Sequence, residues 1–176
     1  MRAIIIGGGK VGYFLVKTLL EKKMKVTLIE KNRERASQIS KELDIDVLWG
    51  DGSDLSILHE AKIEDCQLIA AVTGSDEENL VVCQIVKLRF KNIKTIARIN
   101  NPKNIKMFKM LGVDKTVCST EVIANLIHAE IDGDGIKIIQ TFEMGSMLLA
   151  ELIIHQKHKW MNQMIKDLIL PRNLVI

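Results

Sequence analysis

The chain has few aromatic residues and little net charge. Aromatic side chains make up 4% of its 176 residues, and the balance of basic over acidic residues leaves a formal charge of +3. Nucleic-acid-binding surfaces combine strong positive charge with exposed aromatic rings, so this composition gives no support for such a partner. Since 47% of the residues are hydrophobic, the core must be built from Ile, Leu, Val and Met.

Cysteine is also scarce. Cys66, Cys83 and Cys118 are far apart and form no C-x-x-C pair, which argues against a disulfide framework and against a zinc knuckle. Each lies in or beside an apolar stretch, so we predict buried, unreacted thiols and a reducing, cytoplasmic setting.

Long apolar runs and catalytic signatures are missing as well. No uninterrupted apolar run approaches the ~18 residues that a membrane-spanning helix needs, and we therefore expect a soluble protein. The sequence contains no H-E-x-x-H and no G-x-S-x-G pattern, and the pair His155 and His158 has no third ligand close in sequence. We predict neither catalytic residues nor a metal site.

What the sequence does contain is a series of short apolar runs that alternate with segments of helical period. The six runs are residues 3–6, 25–30, 46–49, 67–73, 94–99 and 115–119. Strands without polar alternation are covered on both faces, as in a parallel sheet wrapped by helices. The pattern predicts an α/β fold, a Rossmann-like, doubly wound, parallel six-stranded sheet spanning residues 1–132.

The first helix is predicted from apolar spacing, and two later ones from their start signals. Between the first two runs, one helical face carries Val11, Phe14, Leu15, Thr18 and Leu19. Ser75 and Glu78 form the S-x-x-E pattern of a capping box. Asn101 followed by Pro102 is typical of an N-cap with proline in the first helical position.

The first strand runs directly into a glycine-rich turn. Gly7-x-Gly9-x-x-Gly12 follows a strand and opens a helix, the context in which this pattern indicates a dinucleotide site. The first glycine permits the tight turn, the second lets the backbone approach a pyrophosphate, and the third allows close packing of helix on strand. Amide groups and the positive helix end then favour phosphate oxygens. Lys10, inside the loop, is either an additional cation or an ordinary solvent-facing lysine.

An acidic residue closes the second predicted strand. Glu30 lies 18 residues after Gly12, where a carboxylate accepts hydrogen bonds from ribose hydroxyls and repels a 2′-phosphate. Lys31, Arg33 and Arg35 either offset that repulsion or simply begin the next helix. NAD(H) is therefore favoured over NADP(H), with ATP or ADP as the open alternative.

Polar residues at the other strand ends are expected to meet in the same crevice, because ligands lie outside the carboxyl ends of parallel strands. Asp51 follows the third strand and is placed either to accept from an adenine amino group or to start the next helix. Thr73 ends the fourth strand. Arg98 lies near the end of the fifth, where a charged side chain needs an anion or a carboxylate partner.

The segment after the sixth run differs from the rest. Residues 122–131 are apolar around most of a helix, which predicts burial on more than one side, against the tail or, as we favour, against a second copy. Two Asp-Gly pairs at 132–135 indicate a turn or linker. The remaining residues, 136–176, are expected to form strands and one helix.

A small NAD(P)-dependent oxidoreductase, or a detached cofactor domain of one, is the alternative function. Such an enzyme needs a second domain to hold substrate beside the nicotinamide. The 41 residues after the linker leave little room for one, and we therefore expect a protein that is not an enzyme.

Six motifs carry a family resemblance: "IIIGGGKVG", "LIEKN", "GDGSD", "AVTGSDEENL", "ARINNP" and "LGVDKTVCST". With them the chain resembles the cytosolic regulatory domains of potassium transport called RCK or KTN domains, most of all the TrkA-type nucleotide-binding subunit of Trk/Ktr potassium uptake systems. Residues 136–176 are similar to the start of that family's C-terminal domain, so we expect a partial copy of it there.

The resemblance implies a domain that binds NAD(H) or an adenine nucleotide without chemistry and gates a membrane potassium transporter or channel. It implies a homodimer through helix 122–131, assembly into a larger ring, and a cytoplasmic location at the membrane's inner face through the transporter. The glycines of the turn would take the pyrophosphate, Glu30 the ribose and Asp51 the adenine. The candidate cofactor-binding residues are Gly7, Gly9, Lys10, Val11, Gly12, Glu30, Asp51, Thr73 and Arg98.

Overall fold

A six-stranded parallel sheet forms the centre of the first of two units, Met1–Glu121, in the computed structural model, which describes residues 1–131, 136–142, 147–156 and 158–168. The strand order is β3-β2-β1-β4-β5-β6, so the chain starts in the middle and winds outward twice, as predicted. The strands are β1 Arg2–Ile6, β2 Lys25–Glu30, β3 Val47–Trp49, β4 Leu68–Ala71, β5 Lys94–Ile99 and β6 Lys115–Cys118.

Helices connect these strands. They are α1 Lys10–Glu21, α2 Arg33–Leu43, α3 Leu55–Glu60, α4 Asp76–Arg89, α5 Ile105–Met110 and α6 Ser119–Ile131, with short 3₁₀ turns at Ile63–Asp65 and Pro102–Asn104. Parallel strands need such crossovers, since a tight turn cannot return the chain to the same end of the sheet.

Both faces of the sheet are covered, which explains why its strands show no polar alternation. Successive residues of β1 point to opposite sides: Ile5 packs with Val16 of α1 and Ile39 of α2, whereas Ile4 packs in the cluster that contains Val82 of α4. Each of these side chains is at most 3% exposed, and burying one contributes about 1.5–3 kcal/mol.

Helix α1 exists where the spacing predicts it, and Leu15 and Leu19 of the predicted face pack on the core, but the buried face is shifted. The buried residues of the helix are Gly12 and Val16, while Val11 and Phe14 are 42% and 64% exposed. Gly12 packs against the turn that precedes the helix, and this contact leaves Val11 and Phe14 of the predicted face exposed to solvent.

The start signals are confirmed in one case and half confirmed in the other. Asn101 accepts a hydrogen bond from the Lys103 amide and caps the turn that begins at Pro102. Ser75 caps α4 by accepting from the Glu78 amide at 3.2 Å. The Glu78 carboxylate, however, does not close a capping box and bonds to Lys31 instead.

The second unit is Val122–Ile176. It contains the antiparallel pair β7 Ile136–Phe142 and β8 Met147–Leu152, and a 3₁₀ turn at Ile165–Asp167. The Asp-Gly turn predicted at 132–135 lies outside the described residues, and the predicted domain limits, 1–132 and 136–176, stay a prediction.

Three large apolar residues of α6 are exposed. Ile123, Leu126 and Ile127 are 56%, 45% and 54% accessible, and their spacing puts them on one helical face. Among the described residues, no helix combines the length and hydropathy required to cross a membrane.

Candidate functional site

A cleft of about 590 Å³ opens at the carboxyl ends of the parallel strands. Its walls come from the ends of β1, β2 and β5, the loops after β1 to β4, and α4, which is where a doubly wound sheet places a ligand crevice. Six of the nine predicted site residues line it: Gly7, Gly9, Glu30, Asp51, Thr73 and Arg98. Lys10 and Val11 are exposed and, with Gly12, lie outside the lining.

The glycine turn requires glycine at two of its positions for steric reasons. Gly7 has φ +101°, a conformation that side chains rarely adopt, and a Cβ there would lie 3.0 Å from the backbone of Thr73. A Cβ on Gly12 would lie 1.8 Å from the carbonyl oxygen of Gly7. Gly12 therefore allows α1 to start directly beneath the turn.

Gly9 is different, because its missing side chain leaves open space. A Cβ built there meets no atom within 4 Å. Gly9 is also the N-cap residue of α1, whose start has no side-chain cap and no acidic residue in its first turn. The first amide groups and the positive end of the helix dipole are thus available to an anion.

Glu30 is buried and already bonded within the protein. It is 5% exposed, and its two carboxylate oxygens accept from the amides of Gly8 at 2.6 Å and Asn32 at 2.7 Å. The Arg35 guanidinium lies 3.6 Å from the oxygen that Gly8 contacts. A carboxylate has about four lone-pair positions, so Glu30 retains acceptor capacity toward the cleft.

Asp51 is held by its own loop and by Lys31. One carboxylate oxygen accepts from the Ser53 amide at 2.9 Å and from the Ser53 hydroxyl at 2.8 Å. The other lies 2.9 Å from Lys31 Nζ. The Ser53 amide, then Lys31 and the Ser53 hydroxyl, lower the pKa of Asp51 to about 2, so the group stays ionised.

Lys31 also reaches the opposite wall of the cleft. Its Nζ lies 3.2 Å from Glu78 Oε1, and both side chains line the cleft. The hydrogen bonds to Asp51, then Glu78, raise the pKa of Lys31, which keeps its ammonium charged. We call this three-residue arrangement of Lys31, Asp51 and Glu78 the Lys31 bridge.

Thr73 is fixed by a buried asparagine. Asn79 is fully buried, and its side-chain oxygen accepts from the Thr73 amide at 2.9 Å and the Thr73 hydroxyl at 2.8 Å. The Asn79 amide group donates to the Arg98 carbonyl at 3.0 Å. One side chain therefore joins the ends of β4 and β5.

Asp76 joins the same two loops. It accepts from the amides of Asn100 at 2.7 Å and Asn101 at 3.0 Å and from the Asn104 side chain at 2.8 Å. Burial by itself would raise the pKa of Asp76, but these hydrogen bonds hold it below the ordinary value. This satisfied carboxylate is part of the framework and not a ligand group.

Arg98 brings a cation into the cleft. Its Nε donates to the Ser119 hydroxyl at 3.2 Å, and Ser119 is the first residue of α6. In the described parts of the chain neither Nη group has a hydrogen-bond or ion-pair partner. The anion or carboxylate partner that the sequence predicts for Arg98 is therefore not found within the described residues.

Metal ligands are not assembled in the part of the chain that the structure describes. No group of three or more His, Cys, Asp or Glu side chains there is arranged to hold an ion. Cys66, Cys83 and Cys118 are buried and unpaired as disulfides, and burial raises the pKa of Cys83 to about 12. Their predicted burial is confirmed, and their predicted lack of reactivity stays a prediction.

Sequence reasoning did not identify several residues that shape the cleft. These residues are Gly8, Asn79 and Glu78, and each forms a hydrogen bond with a residue that lies 22, 6 or 47 positions away, respectively. Only Asn79 carries a usable signal, since a polar residue within the first turns of a buried helix needs a partner.

Comparison with known proteins places the fold and the motifs in one family. Residues 3–119 match the TrkA-N domain. The chain is 35% identical over 128 residues to a "Trk system potassium uptake protein TrkA homolog" of Methanothermobacter thermautotrophicus, covering 73% of this chain and 59% of that relative. It is 30% identical over 177 residues to TrkA homolog 1 of Methanosarcina mazei, covering 99% of this chain and 39% of the relative. The chain thus spans roughly two-fifths to three-fifths of these relatives' lengths.

Solved structures share the fold. The TrkA-N domain of the inner membrane protein ybaL from Escherichia coli has a TM-score of 0.67 at 20% identity, covering 72% of this chain and 93% of that one. The AMP-bound Kef C-terminal domain of Shewanella denitrificans gives 0.66 at 20% identity, covering 76% and 82%. The GsuK channel bound to NAD gives 0.65 at 16% identity, covering 78% and 24%. At these identities the likeness shows the fold alone.

Proposed function

The chain belongs to the TrkA-N domain family, and from that premise we propose that it is a regulatory subunit that binds an adenine nucleotide or dinucleotide and controls a membrane potassium transporter. The proposal includes a cytoplasmic location, a transporter partner and no chemistry on the ligand. Its curated relatives are named as Trk system potassium uptake proteins, and the solved structures that share its fold include complexes with AMP and NAD.

The observation that carries the proposal is the start of α1. Open space above Gly9, a helix start without a side-chain cap, and Arg98, whose Nη groups have no partner within the described residues, meet in one cleft. The open space leaves room for an anion, the helix start and the guanidinium attract one, and a helix N-terminus after a glycine turn is a recurrent phosphate site. We propose that the ligand's diphosphate lies at Gly7–Gly9, in the cleft that Arg98 also lines.

The acidic groups of the cleft favour a ribose-bearing ligand over a bare phosphate. Glu30, at the end of β2, has acceptor capacity left for ribose hydroxyls. The same buried carboxylate disfavours a 2′-phosphate, although Arg35 lies 3.6 Å away. NAD(H) is the ligand that we favour, with ATP and ADP as the alternatives.

Arg98 offers a path from the ligand to the rest of the assembly. It lines the cleft and bonds to Ser119, the residue that begins α6. Helix α6 exposes three large apolar residues, and we propose that it pairs with the same helix of a second copy. A ligand that alters the contacts of Arg98 then favours one dimer geometry over another, provided that the ligand binds the two geometries with different affinities.

Calorimetric titration with NAD⁺, NADH, ATP and ADP tests the binding step. The key variant is Gly9→Asp, because aspartate is a good N-cap residue and places a carboxylate where the ligand phosphate would lie. We expect an intact fold and loss of nucleotide binding. Phe14→Asp, which adds the same charge to an exposed position of the same helix, is expected to retain binding.

Absence of micromolar binding to any of the four nucleotides would contradict the proposal, as would equal binding by Gly9→Asp. The regulatory step is tested separately, by co-purification with a membrane potassium transporter and by the nucleotide dependence of its transport. A substrate-dependent change in nicotinamide absorbance would favour the oxidoreductase alternative.

A further inference from the structure

The Lys31 bridge crosses the cleft at the position of the glycine turn. Asp51 follows β3, Lys31 follows β2, and Glu78 lies in α4, which follows β4. In the sheet, β1 lies between β2 and β4. An ion pair from the end of β2 to α4 therefore has to pass the end of β1, where Gly7 begins the turn.

The contacts of the bridge are close, and yet solvent reaches each member. Lys31 Nζ lies 2.9 Å from Asp51 and 3.2 Å from Glu78, with side chains that are 61%, 45% and 48% exposed in that order. Exposed ion pairs of this kind contribute little to stability and are screened by salt. The bridge is thus close enough to hold Lys31 across the cleft and weak enough to be replaced.

The two carboxylates of the Lys31 bridge differ in their other contacts. Asp51 is additionally fixed by the Ser53 amide and hydroxyl, whereas within the described residues the Glu78 carboxylate bonds only to Lys31. Breaking the contact with Glu78 leaves Lys31 attached to the β3 side of the cleft, and its ammonium is then available to a second anion.

We propose that the Lys31 bridge competes with the phosphate-bearing ligand: when an adenine nucleotide enters, Lys31 leaves Glu78 and pairs with a ligand phosphate. This inference rests on the proposed function, since it assumes a nucleotide in the cleft. It makes Lys31 a contributor to the discrimination of nucleotides from nucleosides, and it frees the Glu78 side chain of α4 on binding.

The test compares adenosine, AMP, ADP and NAD⁺ by calorimetry on the full chain at low and at high salt. Lys31→Met keeps the side-chain length and removes the charge. Glu78→Gln removes the competing charge and keeps the backbone amide that Ser75 caps. Glu77→Gln is the matched comparison, because Glu77 lines the same cleft but bonds to the Ser75 hydroxyl at 2.7 Å instead of to Lys31.

We expect Glu78→Gln to bind AMP and ADP about two- to fivefold more tightly at low salt, in line with the size of one exposed ion pair. Adenosine affinity should stay unchanged. Glu77→Gln should gain less, Lys31→Met should reduce the ratio of AMP to adenosine affinity, and Glu78→Gln should give no gain in the Lys31→Met background.

An undiminished gain from Glu78→Gln in the Lys31→Met background would overturn the inference. Equal gains in Glu77→Gln and Glu78→Gln, or an unchanged ratio of AMP to adenosine affinity in Lys31→Met, would do the same. These results leave the proposed function standing if the wild type binds nucleotides. A wild type that binds none of these ligands, nor NADH or ATP, overturns both.

Discussion

The Gly8 amide donates a hydrogen bond of 2.6 Å to the carboxylate of Glu30, so the residue expected to bind ribose also supports the glycine turn. The second carboxylate oxygen holds the Asn32 amide, the N-cap residue of α2. Glu30 thus has a structural role that is independent of any ligand.

Replacement of Glu30 is therefore expected to destabilise the protein itself. Glu30→Ala leaves two amides without their acceptor, which should lower the free energy of unfolding by about 1–3 kcal/mol. Glu30→Gln should recover only part of this loss, because its single oxygen can replace one of two acceptors. Urea denaturation without nucleotide measures both, and wild-type stability in Glu30→Ala would contradict a structural role.

Two glycines of the same turn are expected to respond differently to alanine. In Gly12→Ala the new Cβ would overlap the Gly7 carbonyl oxygen, a backbone atom that cannot move freely, so we expect a loss of roughly 1–3 kcal/mol or more. Gly9→Ala meets no neighbour, and its φ of −66° is ordinary, so its stability should change by less than about 1 kcal/mol.

Thermal unfolding of the two variants checks this pair, with each serving as the other's control. Similar stabilities for Gly9→Ala and Gly12→Ala would show that the packing of α1 beneath the turn is not as tight as the structure has it.

The sheet and its ligand edge could be predicted because their signals are local. Apolar runs of four to seven residues mark all six strands, and the carboxyl ends of parallel strands meet at one edge. That rule brings Glu30, Asp51, Thr73 and Arg98 together although they are far apart in sequence. The confirmed expectation at these positions is their place in one cleft, while their ligand roles stay predictions.

The remaining features depend on contacts between distant residues, which leave no periodic pattern. Glu78 fits a capping box by spacing, but Lys31, 47 positions earlier, takes its carboxylate. The predicted face of α1 was wrong in part for a related reason: Leu15 and Leu19 pack on the core as predicted, whereas packing of Gly12 against Gly7 leaves Val11 and Phe14 exposed.

Asp51 gives a prediction for acid stability. Its pKa is lowered from 3.8 to about 2, so its contribution to stability is fully present above the ordinary value and is lost as the pH falls through the lowered one. The shift corresponds to about 2 kcal/mol without screening, and exposure of nearly half the side chain reduces the expected contribution to about 1 kcal/mol.

Urea denaturation of wild type and Asp51→Asn over a pH series measures this contribution. The difference between the two proteins should be constant at neutral pH and shrink between about pH 4 and pH 2. Ser53→Ala should make that decrease smaller and complete it at a higher pH, because it removes one of the hydrogen bonds that lower the pKa of Asp51 in the folded protein. A difference that stays constant down to pH ~2 would contradict the assignment.

The exposed face of α6 predicts self-association. Ile123, Leu126 and Ile127 are each about half accessible, and burying the exposed half of such a side chain contributes roughly 0.8–1.5 kcal/mol. A lysine in the middle of that face should weaken a dimer by roughly 30-fold or more, the effect of losing about 2 kcal/mol at an interface.

Sedimentation velocity over a dilution series should show a dimer for the wild type and a monomer for Ile127→Lys. Leu88→Lys, which changes an apolar residue that is 78% exposed at the end of α4, should remain dimeric. If both lysine variants dissociate equally, surface charge in general and not the α6 face governs association, and the coupling from Arg98 through Ser119 to a paired α6 loses its physical basis.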